Sequence, residues 1–282
     1  MVKRNFPSIN ILTFTYNGER TIGECMQSIL SQDYPLDKIE WIIVDGGGRD
    51  RTVEIVEKYQ KIYPKTIKLL KCPDKSHNKI KGYNFFARKV RKDFVLFVEQ
   101  NNIFFQKDWL RRMTEILEKN KNIAAVQSRF AVPKKGNLVE RYLGGIGIED
   151  PFAIPYSLNS QINFNPSRFK FNKEGDFYIY PVDKNNFLYA GGSGFMIKRS
   201  DFFNSGGWIQ DIDLFYRLGM NCHSVAIPKN LKIYKKTFSS FGEFLINRCF
   251  HAQYYLSQNY GGRDFYWFDL KKNNFTQNFK FI

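Results

Sequence analysis

Cysteine is scarce in this chain. Cys25, Cys72, Cys222 and Cys249 lie far apart, with no Cys-x-x-Cys pair. That spacing argues against a zinc site or a disulfide framework and points to reduced thiols in a cytosolic protein. Histidine is scarcer still: His77, His223 and His251 share no metal-ligand spacing and read as structural or exposed. No apolar run approaches the ~20 residues of a membrane span. The opening Met1-Val-Lys-Arg-Asn leads to Pro7 and a strand pattern rather than a signal peptide. There is no Ser-His-Asp order, no Gly-Lys-Ser/Thr phosphate loop and no internal repeat. Acidic residues are in deficit, 27 against 43 basic ones, which gives a formal net charge of +16. Such a balance suits polyanionic surroundings (nucleic acid, anionic headgroups or phosphorylated substrates) or a merely solvated basic surface. The basic residues are scattered, with no zinc-finger spacing or RNA-binding aromatic signature, so nucleic acid is not expected as a partner.

What is present is a run of alternating strand and helix patterns. Ile9 to Phe14 reads as a buried strand, broken by Thr15-Tyr16-Asn17-Gly18. Ile22, Cys25, Met26, Ile29 and Leu30 then form one helical stripe, stopped at Asp33-Tyr-Pro35. Glu40 to Val44 is a second strand. Ile55, Tyr59, Ile62 and Tyr63 are a second helical stripe, and Ile67 to Leu70 is a third strand. Residues 72–81 read as a polar, basic loop and Tyr83 to Val90 as a helix. Phe94 to Val98 is a fourth strand, and Trp109, Leu110, Met113, Ile116 and Leu117 mark another helix. This spacing implies βαβ units and a parallel sheet. Beyond about residue 125 the pattern loosens. Residues 150–187 lack periodicity and read as a functional loop region or lid.

Three polar clusters sit at strand ends: Thr15-Tyr16-Asn17, Asp45 to Asp50, and Glu99 to Asn102. In a parallel sheet they converge on one edge, where open α/β sheets bind nucleotides. The stretch Asp45-Gly-Gly-Gly-Arg-Asp50-Arg-Thr52 fits either a plain strand-turn-helix connection or a ligand loop, its glycines allowing close backbone approach. Thr15 and Tyr16 offer hydrogen bonds and a stacking ring for a base, and Asp45 an acceptor for the imide-like N–H of uracil or guanine. Glu99 lies where a divalent metal or a ribose would sit. Asp211 and Asp213 start a later helical pattern. They fit either a helix N-cap and first-turn charge, or a base that deprotonates an acceptor hydroxyl.

Taken in order, these pieces resemble the family 2 glycosyltransferases of GT-A fold. The resemblance rests on Thr15-Tyr16-Asn17, Ser28-Ile-Leu-Ser-Gln32, Val44 through Thr52, Gly82-Tyr83-Asn84, Gly191 to Arg199, and Gln210-Asp211-Ile212-Asp213-Leu214 with Arg217-Leu218. It covers residues 8 to about 250. It implies a GT-A (Rossmann-like), mostly parallel sheet flanked by helices, with an acceptor-side subdomain and an amphipathic C-terminal tail. The implied division is a nucleotide-sugar half at 1–104, an acceptor half at 105–237 and a tail at 238–282. It implies an inverting transfer from a UDP- or GDP-linked sugar to a glycan or lipid-linked acceptor. Asp211 would be the general base, supported by Asp213. Thr15, Tyr16, Asn17, Asp45, Asp50, Asn84 and Glu99 would bind the donor, and Gly191, Gly192 and Gly194 would line the acceptor side.

The chain departs from that pattern in places that matter. The usual Asp-x-Asp reads Glu99-Gln100-Asn101, and a His often found after a later strand is replaced by Tyr234 in Lys232-Ile-Tyr234-Lys235-Lys236. A neutral amide in place of a carboxylate weakens a hard divalent cation. The metal expectation is therefore Mg2+ or Mn2+ at Glu99 and Asn101, weak or dispensable. Three outcomes follow: weak metal use, a metal-independent enzyme leaning on basic residues, or a catalytically inactive binding relative. The charge and the aromatic tail at 238–268 make the cytoplasmic face of an anionic membrane the candidate location.

Overall fold

Side chains of β1 (Ile9–Thr15) alternate between two apolar faces, Ile9 and Ile11 on one and Leu12 on the other. β2 (Ile39–Asp45) repeats the pattern, with Trp41 and Ile43 on the first face and Ile42 and Val44 on the second. Strands apolar on both faces need helices on both. The structure, a computed structural model, describes residues 5–72, 85, 87, 89–146, 170–183, 191–207, 211–221 and 223–257. Within its helices the side chains of residues 146, 211–213 and 250–257 fall outside that description.

The remaining strands are β3 (Ile67–Lys71), β4 (Phe94–Phe97), β5 (Asn102–Ile103), β6 (Ile123–Gln127), β7 (Arg129–Phe130), β8 (Asn172–Glu174), β9 (Phe177–Pro181), β10 (Phe195–Lys198), β11 (Ser224–Pro228) and β12 (Lys232–Lys235). The main sheet has nine strands in the order β3-β2-β1-β4-β10-β6-β11-β9-β8. β1 is parallel to β2 and β4, β2 to β3, and β11 to β6. β10 runs against both β4 and β6, and β9 against β11 and β8. Among the described residues of this sheet, only β9 and β10 therefore oppose the common direction. A second, three-stranded sheet, β5-β12-β7, sits at the site described below.

Helices α1 (Ile22–Leu30), α2 (Thr52–Ile62) and α3 (Trp109–Lys119) cover the first face. Ile22, Cys25, Met26 and Ile29 of α1 are buried, as the stripe predicts. Each such side chain stabilises the fold by roughly 1.5–3 kcal/mol. Burial also pushes the Cys25 thiol well above its ordinary pKa, so this cysteine is an inert core residue. The free thiols among the described residues are Cys25, Cys72 and Cys249; Cys222 lies outside them. α4 (Leu138–Ile146) packs on β12. α5 (Arg199–Asn204) and α6 (Asp211–Met220) close the second face through Phe202, Leu214, Phe215 and Leu218. The buried Thr13 hydroxyl accepts from the Trp41 indole at 2.9 Å, so no polar group is stranded inside β1–β2.

α7 (Phe241–Ser257) falls in the stretch read as a helical tail. Its start is chemically marked. The Ser240 hydroxyl accepts from the Glu243 amide at 3.2 Å, the Glu243 carboxylate reaches back to the Ser239 amide at 2.6 Å, and Phe238 packs on Phe244 at 5.4 Å. This resembles a capping box with a hydrophobic staple, each outer partner lying one residue further out. Among the described residues no helix is long and apolar enough to cross a membrane.

Two readings lie outside the described residues, the loop at 73–81 and half of the helix at 83–90. One reading is revised. Within the aperiodic 150–187 stretch, β8 and β9 form a hairpin closed by Gly175-Asp176, with Gly175 at φ +48°. A glycine followed by aspartate is a proper turn for a two-residue hairpin, so the signal was present without hydrophobic alternation to announce it.

Candidate active site

The chain leaves β1 toward β2 and β3 on one side of the sheet and returns to β4 on the other. That reversal opens a crevice beyond the carboxyl ends of β1 and β4. The loops after β1, β2 and β4 meet there.

The first two loops are sewn together by backbone groups. Thr15 and Asp45 are register partners, and the Gly46 amide donates to the Thr15 carbonyl at 2.8 Å. Thr15 is buried and its hydroxyl lies 3.4 Å from the Val44 carbonyl, so it builds the strand end. Asn17 takes a left-handed backbone at φ +46°, and its side-chain oxygen accepts from the Arg49 amide at 2.9 Å. Gly48 passes so close that a Cβ there would lie 2.8 Å from the Asn17 nitrogen.

Asp50 holds the same junction. Its carboxylate accepts from the Glu19 amide at 2.9 Å, from the Thr52 amide at 3.1 Å, and from the Thr52 hydroxyl. Partial burial pushes its pKa up, but these hydrogen bonds together outweigh that and hold it below the usual carboxylate range. Thr52 in turn accepts from the Gly18 amide at 2.7 Å. Asp45 differs. One of its oxygens accepts from the Gly47 amide at 3.1 Å, and the other accepts no hydrogen bond among the described residues. Its 9% exposure leaves it at the floor of the crevice rather than in the core.

The loop after β4 forms the opposite wall. The Gln100 amide makes a reciprocal pair with Tyr16: it accepts from the Tyr16 N–H and donates to the Tyr16 carbonyl, both at 3.1 Å. Glu99 is fixed at its backbone by Asn102, whose side chain accepts from the Glu99 amide at 2.9 Å. Its carboxylate accepts from the Ser193 hydroxyl at 3.0 Å and is ion-paired with Lys235. The Lys235 side chain is only 10% exposed and that of Glu99 21%.

Ser193 lies in the glycine turn before β10. Gly191, Gly192 and Gly194 have φ of +116°, +68° and +64°. The Gly191 amide donates to the Gln127 side chain at 2.9 Å and the Gly194 amide to the Phe97 carbonyl at 3.0 Å. A Cβ on Gly194 would meet Ile233 at 2.9 Å and Ser128 at 3.0 Å. These glycines let the turn pass under the Glu99 loop and aim Ser193 at it. Tyr234, in the place of the histidine, is half-buried. Burial raises its phenol pKa, and a hydrogen bond with Glu140 raises it further.

The structure thus brings Tyr16, Asp45, Glu99 and the Gly191–Gly194 turn to one crevice, with Thr15, Asn17 and Asp50 holding its walls. Asn84 lies outside the described residues. Asp211 and Asp213 begin α6, with their side chains outside the description. The sequence reading had not singled out Ser193, Gln100, Asn102 or Lys235 as working residues. Only their strand-end and turn positions could have flagged them.

A divalent cation does not fit the residues assigned to it. Asn101 offers one neutral oxygen, buried and without a hydrogen-bond partner. Glu99 offers a carboxylate that an ammonium and a hydroxyl already engage. Among the described residues no three His, Cys, Asp or Glu side chains converge. A metal sharing Glu99 would also face Lys235, at a repulsion of about 4 kcal/mol per unit of charge at 4 Å separation and an effective dielectric near 20.

The sequence profile of glycosyl transferase family 2 matches residues 10–203. The chain belongs to that family. Among family relatives it is 28% identical over 111 residues to the poly(ribitol-phosphate) beta-N-acetylglucosaminyltransferase TarS of Staphylococcus aureus, covering 39% of this chain and 19% of TarS. It is 25% identical over 137 residues to the glycosyltransferase AglE of Haloferax volcanii, covering 48% and 44%. The matched stretches are thus less than half of these relatives. A mannosyltransferase from Pyrobaculum calidifontis, solved with GDP-Man and Mn2+, superposes with a TM-score of 0.61 at 16% identity, over 90% of this chain and 66% of that one. S. aureus TarS with UDP-GlcNAc gives 0.60 at 17% identity, over 84% and 60%. The family 2 chain thus has the GT-A fold, a mixed α/β architecture on a large, mostly parallel sheet.

Proposed function

We propose that this family 2 member moves a sugar from a nucleoside-diphosphate sugar, UDP- or GDP-linked, to an acceptor hydroxyl with inversion. The observation that carries this reading is the convergence of Tyr16, Asp45 and Glu99 on one crevice at the β1–β4 reversal. Tyr16 and Asp45 hold the base, and the Asp45 oxygen that accepts no hydrogen bond among the described residues is the acceptor for an imide-like N–H. Asp211 is the general base, with Asp213 in support. As the acceptor oxygen bonds to the anomeric carbon, its proton passes to the Asp211 carboxylate. The bond from that carbon to the diphosphate oxygen breaks, and its electron pair leaves with the diphosphate. The Gly191–Gly194 turn borders the acceptor.

The acceptor is a glycan or a lipid-linked one, presented at an anionic membrane surface. Phe241, Leu245 and Ile246 of α7 support this placement, being 62%, 46% and 74% exposed in a chain of formal charge +16. Sedimentation with anionic vesicles at low salt tests it: protein left in the supernatant rules the placement out.

The nucleotide reading is tested by a thermal-shift panel of UDP, GDP and their sugars with and without Mn2+, because a ligand bound only by the folded state raises its melting temperature. A second reading, a non-catalytic sugar-nucleotide-binding relative, draws on Gln100, which uses its amide as a backbone clasp within the Glu99–Asn101 segment. Nucleotide-sugar binding with no turnover of any donor would favour it. Release of nucleoside diphosphate would dismiss it.

A further inference from the structure

Lys235 is not a surface lysine that happens to meet an acid. β12 is antiparallel to β5, with Lys235 opposite Asn102 and Tyr234 opposite Ile103. The next amide, of Lys236, donates to the Asn101 carbonyl at 2.9 Å. The backbone that carries Lys235 is therefore laced to the backbone that carries Glu99 to Asn102, and the ammonium is delivered to the Glu99 carboxylate by strand register. Its neighbour Lys236 turns elsewhere, to Glu24 at 2.6 Å. A lysine held this far from water is costly to keep unless its charge is used.

From this we propose that Lys235 is a built-in cation that takes the place of the divalent metal and binds the diphosphate of the donor. The inference rests on the proposed nucleotide-sugar reading of the crevice. Glu99 is the carboxylate where the family resemblance puts a metal ligand, and the position against it is filled by the ammonium. Ser193 fixes the same carboxylate oxygen, so Glu99 becomes the holder of the lysine. An ammonium has three donors and can bridge a carboxylate and a phosphate oxygen at once. A diphosphate entering at the β1–β4 reversal would bring its negative charge to this ammonium. The neutral Gln100 and Asn101 add no carboxylate to repel it.

The test is calorimetric titration of the full chain, treated with EDTA, using UDP and GDP as probes and uridine and guanosine as controls lacking the diphosphate. The expected result is diphosphate binding in EDTA equal, within about twofold, to that in Mn2+, and tighter than nucleoside binding by about ten- to hundredfold. Removing the lysine alone would strand Glu99, so the main variant is the double substitution E99Q/K235M, checked for folding by its melting curve. It should lose most of the diphosphate advantage in EDTA and keep nucleoside affinity, while K235R should retain diphosphate binding. Diphosphate binding that requires Mn2+, or a double variant that binds like the parent, overturns the inference and leaves the nucleotide reading standing. Absence of binding by any nucleotide or nucleoside, with or without Mn2+, overturns both.

Discussion

The loops after β2 and β4 each carry an acid, Asp50 and Glu99, and they employ them oppositely. After β2, the Asp50 carboxylate is consumed by backbone amides and a hydroxyl, so its charge holds two loops together. After β4, the backbone is held by neutral amides, Gln100 and Asn102, and the Glu99 carboxylate is left to grip a cation. The lesson is that an acid at a strand end is not yet a ligand for anything. Nearby amides decide: where N–H groups converge the acid clasps backbone, and where side-chain amides take over that task it pairs with a cation instead.

Experiments can break this contrast in graded steps. The largest effect lies outside both loops. Asp211→Asn should lower transfer by about 10²–10⁴-fold while leaving nucleotide affinity within about twofold, read by steady-state kinetics beside calorimetry. Unchanged turnover would remove Asp211 from the chemistry. Asp45→Ala should reduce nucleotide affinity by about ten- to hundredfold and abolish the ligand-induced thermal shift. The ligand-free melting temperature should barely change, because the carboxylate makes one protein hydrogen bond.

Gly194→Ala combines a positive φ with contacts to Ile233 and Ser128. It should destabilise the fold by about 1–3 kcal/mol, seen in chemical denaturation. The smallest effect belongs to Asp50→Asn. Asparagine keeps one acceptor oxygen and turns its amide nitrogen toward the other donor, so near neutral pH the loss should be about 1 kcal/mol. The sign with pH is definite. The Asp50 pKa is depressed in the fold, so its contribution is present above the unfolded carboxylate pKa and fades as pH falls through the folded value. Melting curves of parent and variant should therefore converge in acid. A gap that widens there would contradict the clasp.

The first half of the chain was legible because β1 and β2 are short, apolar on both faces and each followed by a helix with a clear stripe. Ile9 to Thr15 and Ile39 to Asp45 follow this directly, and the carboxyl-edge crevice follows from their parallel pairing. The roles of Asn17 and Asp50 were not legible, since whether an acid meets amides depends on how two loops interleave across about 30 residues. The pairing of Glu99 with Lys235 spans most of the domain and leaves no local pattern. The β8–β9 hairpin was hidden because Asn172-Lys-Glu has no apolar side to alternate.

The Gln100 clasp carries a consequence for how this sequence can drift. A methyl group on Gly18 would collide with the Gln100 amide, so the two positions, 82 apart in the chain, share one space. A larger residue at position 18 would push the Gln100 side chain off Tyr16. An attempt to write the familiar acidic triplet back into residues 99–101 would leave Gln100 and its hold on Tyr16 untouched, but exchanging Gln100 itself would loosen the wall on which the base is proposed to rest. Repertoires of viable variants should therefore show these two sites changing in concert.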